Sequence, residues 1–319
     1  MGRLHELLEP DTAGDPMTGL KWTRKTTRKI SEELGKAGLC VSHTTVARLL
    51  EKLDYRLRVN HKKIAGNSHP QRNTQFEYIA VQRRRCERSA IPLISIDTKK
   101  KEVVGPFKNA GAVWSRSPRA VRDHDFRSEG VGMAIPYGIY DVRANRGAVF
   151  VGKSHDTADF ALDSLAAWWR TEGSPRYPKA TQLFILADNG GSNGSTHHAW
   201  RYALQRKLAD PFGLTLTVCH YPPATSKWNP IEHRLFAQIS RNWAGEPLTS
   251  YETIVNFIRK TTTETGLRVT ATTLEGDYPT GVKIAKHEMQ QLSIRPHDVC
   301  PQWNYTIRPR CAAKCEVIS

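Results

Sequence analysis

Two short apolar runs in the middle of the chain are each closed by an aspartate. The run 91–96 precedes Asp97, and the run 183–187 precedes Asp188. Runs of this length with few polar interruptions are typical of strands buried on both faces of a helix-covered sheet. An acid at the end of such a strand, followed after Asp188 by the glycine-rich segment 189–194, stands where an open α/β sheet places a functional site. Each aspartate taken alone is explained equally well as the initiator of a turn.

Further strands and helices are predicted around these two runs. Apolar patterning and turn signals predict a hairpin of strands over 135–142 and 147–152, helices over 157–169 and 197–208, and a strand over 214–219. The segment 105–133 is glycine-rich and is predicted to be an irregular insertion. The order of acidic strand, hairpin, helix, acidic strand, helix, strand and acidic helix predicts an α/β fold with an RNase H-like mixed-sheet catalytic core.

A helix start at Asn229 carries a third candidate carboxylate. Asn229 is a favourable N-cap, Pro230 suits the first helical position, and apolar residues recur at helical spacing from Ile231 to Ile239. Glu232 lies at the edge of that apolar face, so its side chain is predicted to point toward protein. The alternative is a capping box, in which Glu232 only returns a hydrogen bond to the cap.

An N-terminal helix-turn-helix-like unit is predicted from a helix over 23–36, a stop between Gly35 and Gly38, and a second helix from the Ser42 cap to Leu53. The second helix of such a unit reads base edges, and other basic residues contact phosphates. The candidate base-reading residues are His43, Thr44, Thr45 and Arg48. The candidate phosphate contacts are Lys21, Arg24, Lys25, Arg28 and Lys29. The alternative is a helical hairpin with a solvated basic face.

The charge balance favours a polyanionic partner. The chain carries 47 Lys and Arg against 31 Asp and Glu, a net charge of +16. It has no apolar run of about 18 residues, so no membrane association is expected. No charged start followed by an apolar core is present at the N-terminus, so we expect a cytoplasmic, nucleoid-associated protein that binds double-stranded DNA.

Several other residues are candidates for contacts with DNA or for support of the carboxylates. Lys99, Lys100 and Lys101 follow the first aspartate and either form a solvated turn or hold phosphates. Lys227 is a candidate for holding a strand, and Trp228 either stacks on a displaced base or anchors the helix start by packing. Asn189 and His220 are candidates for supporting the carboxylates, although His220 is equally well explained as a packed strand-end residue.

The cysteines indicate a reducing compartment. The six cysteines lack the paired spacing of a zinc knuckle, and most are interpreted as free thiols. Cys311 and Cys315, with His297 and Cys300 nearby, form only a loose zinc pattern.

Six segments together resemble a known family. They are IDTKKKEVVGPFKNAG, AIPYGIYD, ADNGGSNG, CHYPPATSKWNPIEHRLF, TTTETGLRV and YPTGVK. From about Leu7 to Arg310 the chain resembles the Rhodopirellula-type DDE transposases of bacterial insertion sequences, and the NPIE helix start also resembles mariner-like transposases. Compared with that family, the chain looks shortened at the N-terminus, and the tail after Arg310 is unlike it.

The resemblance implies that Asp97, Asp188 and Glu232 form a catalytic triad that binds Mg²⁺ or Mn²⁺. It implies strand cleavage and strand transfer at element ends, with terminal inverted repeats and target DNA as partners and a homo-oligomer assembled on DNA. The predicted organisation is a DNA-binding unit over 1–60, a linker and helix over 61–90, the catalytic domain over 91–245, and a C-terminal helical and strand extension over 246–319. A non-catalytic repressor of transposition and a nuclease without transfer activity remain as alternatives.

Overall fold

A computed structural model describes residues 12–14, 21–23, 26–53, 55 and 69–310. The chain divides into two compact units, Met1–Ala65 and Gly66–Ser319. The domain boundaries predicted from the sequence remain a prediction.

The described residues of the first unit form two short paired strands and two helices. Strand β1 (Thr12–Gly14) pairs antiparallel with β2 (Lys21–Thr23), and helices α1 (Thr27–Lys36) and α2 (His43–Lys52) follow. The predicted second helix begins at its Ser42 cap, whose hydroxyl accepts the Thr45 N–H at 3.2 Å. The first helix begins four residues later than predicted, because Thr26 caps it and residues 21–23 are extended.

The apolar stripes of α1 and α2 face each other. Ile30, Leu34 and Val46 are buried between them, and partly buried apolar residues pack around this centre. Burial of these stripes leaves the polar faces of both helices exposed, as the amphipathic pattern predicted.

The second unit is built on a nine-stranded sheet. Its strands are β3 (Leu93–Thr98), β4 (Glu102–Val104), β5 (Gly132–Asp141), β6 (Arg146–Gly152), β7 (Gln182–Ala187), β8 (Thr215–His220), β9 (Arg268–Thr273), β10 (Ile294–Pro296) and β11 (Asn304–Ile307). Its longer helices are α3 (Arg72–Arg88), α4 (Ala158–Trp168), α5 (His198–Ala203), α6 (Ala237–Asn242), α7 (Tyr251–Arg259) and α8 (Lys286–Gln290).

The strand order confirms the expected RNase H-like mixed sheet. The strands lie in the order β10-β11-β8-β7-β3-β5-β6-β9, with β4 paired to β5. Strands β3, β7 and β8 are parallel neighbours, whereas β5 runs antiparallel to both β3 and β6. The acidic strand β3 therefore lies at the centre of the sheet, beside the acidic strand β7.

Both faces of the sheet are covered, which explains the continuous apolar runs. Ile94 and Ile96 of β3 belong to a core that includes residues of α4 and α5. A second core on the other face contains Ile231 and Phe236 together with residues of α7. A Cβ on Gly138 of β5 would lie 2.5 Å from the Phe236 ring, so glycine is needed there for the helix to approach the sheet.

Several elements differ in detail from the sequence prediction. The helix predicted over 197–208 is α5 continued by a π-helical segment, Leu204–Ala209, and the helix after Asn229 passes through a π-helical segment at Glu232–Phe236. Residues beyond 245 add β9 to one end of the sheet and β10 and β11 to the other. No helix within the described ranges is long and apolar enough to cross a membrane.

Candidate active site

Asp97 and Asp188 leave the sheet side by side. Strands β3 and β7 are parallel, and Ile96 pairs with Ala187, the residues that immediately precede the two aspartates. Asp97 is 7% exposed, and its Oδ1 accepts the Thr98 N–H at 2.7 Å. The two acidic strand ends predicted from the sequence therefore lie side by side at one edge of the sheet.

Ser95 and Asn229 fix the helix that carries Glu232 to the centre of the sheet. The Ser95 hydroxyl donates to Asn229 Oδ1 at 2.5 Å and accepts the Ile231 N–H at 3.0 Å. The Asn229 amide donates to the Ile96 carbonyl at 3.0 Å. Ser95 and Asp97 point to the same face of β3, since side chains two residues apart share a face. The bonds to Ser95 and Ile96 thus bring the start of the helix to the strand that carries Asp97.

The expected capping role of the Asn229 side chain is wrong. The helix begins at Pro230 as predicted, but the Asn229 side chain points into β3, and the Ser95 hydroxyl accepts the first free helical N–H instead. The Asn229 N–H already donates to the Ser226 carbonyl at 2.8 Å, so Glu232 has no cap hydrogen bond to return. The capping-box explanation of Glu232 is therefore not supported.

The three carboxyl groups lie in one electrostatic environment. Burial, followed by the charges of Asp188 and Glu232, raises the pKa of Asp97 well above its ordinary value. Burial raises the pKa of Asp188 to about 6, although hydrogen bonds from the Gly190 N–H and the Asn193 side chain oppose the rise. Burial also raises the pKa of Glu232, opposed by the charge of His233 and by hydrogen bonding with Asp97. The folded chain therefore concentrates negative charge that a cation would stabilise.

The donor chemistry of this site fits a divalent cation. Asp188 Oδ1 is buried and accepts no hydrogen bond from the described residues. Carboxylate oxygens are the ligands that Mg²⁺ and Mn²⁺ prefer in proteins. In the described part of the chain, no group of three or more His, Cys, Asp or Glu side chains is already arranged to hold a metal ion. A cation would therefore draw the carboxylates together instead of entering a preformed cage.

His220 supports the strand end that carries Asp188. Its Nδ1–H donates to the Asp188 carbonyl at 2.9 Å, and its Nε2 accepts from the Tyr305 hydroxyl at 3.0 Å. The Tyr305 oxygen in turn accepts the Trp200 indole N–H at 2.9 Å. Burial lowers the pKa of His220 to about 4, so the imidazole is neutral at neutral pH. A neutral ring fixes which group donates and which accepts in each of these three hydrogen bonds. His220 is thus both a packed strand-end residue and a support for Asp188.

Asn189 acts on the loop after β7. Its Oδ1 accepts the Ser195 N–H at 3.0 Å, and the nearby Asn193 accepts a hydrogen bond from Tyr137 at 3.0 Å. The first contact folds the segment 189–195 back on itself and directs the Asn189 oxygen toward the loop, and the second ties the loop to β5.

The lysines after Asp97 differ from one another. Lys99 is buried, with its Nζ 3.0 Å from Glu102 and 4.4 Å from the centre of the Trp243 ring. Lys101 pairs with Asp156 at 3.7 Å, whereas Lys100 is exposed. Lys99 and Lys101 are thus each held by an ion pair, and contact of Lys99, Lys100 or Lys101 with a phosphate stays a prediction.

Asp156 is a fourth carboxylate that the sequence interpretation missed. It follows β6, accepts the Thr98 hydroxyl at 3.0 Å, and lines a cavity of about 290 Å³ together with Asp97 and Asp188. Its charge contributes to the raised pKa of both aspartates. An isolated acid in a loop carries no pattern, and the only sequence signal near Asp156 is the start of the predicted helix over 157–169.

The candidate DNA contacts of the first unit are only partly described. Arg24 and Lys25 lie outside the described residues, and so does the side chain of Lys21. The remaining candidates are mostly exposed on α1 and α2: Arg28, Lys29, His43, Thr44 and Arg48, with Thr45 half-buried. DNA binding by this unit stays a prediction.

The loose zinc pattern gains no support among the described residues. Both ring nitrogens of His297 are engaged, one with Tyr78 and one with Thr306, each at 2.8 Å. Cys300 is a buried free thiol, and Cys311 and Cys315 lie outside the described residues.

An RNase H-like sheet with carboxylates at its central strand ends and at the start of the adjoining helix defines a class of phosphoryl-transfer enzyme. The model of the Rhodopirellula transposase DDE domain family matches residues 3–309. The chain belongs to this family and is a DDE-type transposase. The family suggested by the six sequence segments is thereby confirmed.

Solved structures with a distant likeness to the chain are Mos1 transposase assemblies. For the Mos1 paired-end complex with left transposon end, the identity is 18%, the match covers 81% of this chain and 69% of that chain, and the TM-score is 0.45. For the pre-cleavage Mos1 transpososome, the same identity and coverages accompany a TM-score of 0.44. No curated protein matches the chain.

Proposed function

We propose that this transposase cleaves and joins DNA strands by divalent-metal-dependent phosphoryl transfer, with Asp97, Asp188 and Glu232 as the catalytic carboxylates. The supporting observation is that carboxyl groups from two strand ends and a helix start meet where the charges of Asp188 and Glu232 raise the pKa of Asp97. Such an arrangement is unfavourable without a cation and becomes favourable when one binds.

The position of each of the three carboxylates would set its role in metal binding. Asp97 on the central strand would serve two Mg²⁺ or Mn²⁺ ions, and Asp188 and Glu232 would each complete one coordination sphere. When bound, a metal pair activates water or a 3′-hydroxyl and stabilises the leaving oxygen. The bonds of Ser95, Asn229 and His220 hold the backbone that carries these carboxylates, so that only the carboxylate side chains would need to reorient around a metal. No covalent protein intermediate is required.

The proposed partners are the terminal inverted repeats of the protein's own element and a target duplex. The net charge of +16 favours such polyanions. We propose that a homo-oligomer brings two element ends together, and that the protein acts at the nucleoid in the cytoplasm.

Cleavage of the DNA that flanks the protein's own gene tests this proposal. Asp97→Asn, Asp188→Asn and Glu232→Gln are each expected to abolish Mg²⁺-dependent cleavage while duplex binding persists. Asp123→Asn is the matched control, because that carboxylate is 91% exposed and lies outside the site.

The outcomes separate the alternatives. A triad variant that cleaves at the unmodified rate removes its residue from the proposed set. Cleavage without joining would favour a nuclease, and specific binding without cleavage in either metal would favour a repressor.

A further inference from the structure

The indole of Trp228 stands half exposed beside the carboxylate site. It is 53% exposed and lies four residues before Glu232, at the end of the 3₁₀ turn Ser226–Trp228. The Trp228 N–H donates to the Thr225 carbonyl at 2.9 Å, and the following N–H donates to Ser226 at 2.8 Å. The backbone beneath the indole is therefore fixed in place.

An aromatic column anchors one side of this indole. The ring of Phe76 on α3 lies 5.8 Å from Trp228 at an interplanar angle of 72°, and 5.9 Å from the buried ring of Tyr221. Gln75, the neighbour of Phe76, is fully buried and exchanges two 2.7 Å hydrogen bonds with Asn304. The column is thus tied to the sheet, while the exposed half of the indole remains available to a ligand.

Two cations flank the column. The Arg72 guanidinium lies 5.5 Å from the centre of the Phe76 ring, and Lys227 Nζ lies 5.8 Å from the Trp228 ring. Neither cation has an ion-pair partner among the described residues, in contrast to Lys99 and Lys101, which pair with Glu102 and Asp156. An aromatic surface with unpaired cations at its rim can bind a nucleotide, because the base stacks on the ring and the phosphate contacts a cation.

Lys227, at the rim of the aromatic surface, shares a cavity with Glu232 of the carboxylate site. Lys227 lines a cavity of about 590 Å³ together with Glu232, Lys100 and His233. A strand whose phosphates follow Lys100 and Lys227 past Glu232 would therefore arrive at Trp228.

We propose that Trp228, backed by Phe76 and flanked by Arg72 and Lys227, binds one unpaired nucleotide of the DNA strand that passes the active site. A base inside a duplex is covered on both faces by its neighbours, so only an unpaired or extruded base can stack on the indole. The ligand is single-stranded or locally opened DNA. This inference deepens the proposed function, since it states which form of the substrate binds next to Glu232.

Metal-free binding tests this proposal with two probes of equal length. A dye-labelled oligothymidylate of about 12 nucleotides and a duplex of the same length are titrated by fluorescence anisotropy in EDTA. Trp228→Ala is expected to raise the Kd for oligothymidylate by about 5- to 150-fold, the equivalent of the roughly 1–3 kcal/mol that stacking of one base contributes. The Kd for the duplex should stay within about twofold, because the duplex is held by phosphate contacts.

Matched variants make the result specific. Trp228→Phe keeps a stacking ring and should restore most of the affinity for oligothymidylate, and its melting temperature checks the fold. Trp114→Ala removes a different indole, which is fully exposed in the segment between β4 and β5, and should change neither Kd. Lys227→Ala should flatten the salt dependence for oligothymidylate.

Three outcomes would overturn the proposal. The first is an equal loss of affinity for oligothymidylate and duplex, and the second is no loss of affinity for either probe. The third is a Trp228→Ala variant that changes only the oligomeric state of the protein, which would assign the indole to contact with a second copy of the chain. Because binding is measured without metal, this test and the cleavage test fail independently. Trp228-dependent binding without cleavage would remove the proposed function and leave the nucleotide site.

Discussion

Ser95 Oγ and Asn229 Oδ1 lie 2.5 Å apart, and both side chains are completely buried. This bond joins β3 to the start of the helix that carries Glu232. Through it, two carboxylates that are far apart in the chain are held on one side of the sheet, so the geometry of the site depends on two neutral side chains.

Removal of the Ser95 hydroxyl should therefore weaken both the fold and the site. Ser95→Ala leaves Asn229 Oδ1 without a donor and the Ile231 N–H without an acceptor, so the free energy of unfolding should fall by about 1–3 kcal/mol. DNA cleavage should fall while duplex binding persists. Chemical denaturation and cleavage assays measure the two effects, and Ser115→Ala on the exposed surface is the control. Unchanged stability and unchanged cleavage would contradict this role of Ser95.

The Tyr305 hydroxyl should matter because it serves two partners at once. Tyr305→Phe leaves the Trp200 N–H without an acceptor and His220 Nε2 without a donor, which should lower the free energy of unfolding by about 1–3 kcal/mol. In the unmodified protein, the NMR resonances of His220 should show a neutral ring down to about pH 4, since burial lowers its pKa to about 4. Protonation of His220 near neutral pH would contradict the assigned direction of the hydrogen bonds.

Asp188 should destabilise the metal-free protein at neutral pH. The pKa of its carboxyl is raised from 3.8 to about 6 in the folded chain, so folding favours the protonated form. The protonated carboxyl therefore stabilises the folded protein fully below its unfolded-state pKa of 3.8, and this stabilisation is lost as the pH rises through about 6. The free energy of unfolding changes by at most about 3 kcal/mol over this range.

Thermal melts in EDTA from pH 4 to pH 8 measure this effect. Asp188→Asn should be more stable than the unmodified protein at pH 8, and the difference should shrink as the pH falls below about 6. A difference that does not depend on pH would show that the carboxyl titrates normally.

Mg²⁺ should stabilise the unmodified protein through Glu232. At a Mg²⁺ concentration of 100 times Kd, the free energy of unfolding should rise by about 2.7 kcal/mol, and that of Glu232→Gln should rise by less. Glu232→Ala should not show the loss of about 1 kcal/mol expected of a broken cap, because the Asn229 N–H is bonded to Ser226. Thermal melts of the three proteins in EDTA and in Mg²⁺ distinguish metal binding from helix capping. If the melting temperature of the unmodified protein does not change with Mg²⁺, Glu232 is not a metal ligand.

Arg48 and the pair Arg28 and Lys29 should have different effects on DNA binding. Arg48→Ala should relax the sequence preference at one base position and cost about 1–3 kcal/mol of binding free energy. Arg28→Ala with Lys29→Ala should weaken binding to all DNA sequences alike and make the affinity less dependent on salt. Gel shifts on specific and random DNA over a range of salt measure both. Equal losses on the two DNAs for Arg48→Ala would leave α2 as part of a basic surface only.

The apolar periodicity predicted most of the fold. The runs before Asp97 and Asp188 are strands because both faces of the sheet are covered, and Ser42 begins α2 because its hydroxyl accepts the Thr45 N–H. The first helix begins at Thr27 and not at position 23, since residues 21–23 form β2 and Thr26 caps the helix. Propensity alone does not separate these states, because tertiary context decides between them.

The sequence by itself determined the two acidic strands, the helix after Asn229 and the three carboxylates, because apolar periodicity and motif chemistry are local properties of the chain. Only the tertiary structure decided that Asn229 bonds to Ser95 instead of capping its own helix, that Lys99 is buried against Glu102, and that Asp156 joins the carboxylate site. Each of these facts depends on a partner supplied by another element. Side chains take the hydrogen-bond partner or ion partner that burial brings to them, and no local pattern encodes which distant residue that will be.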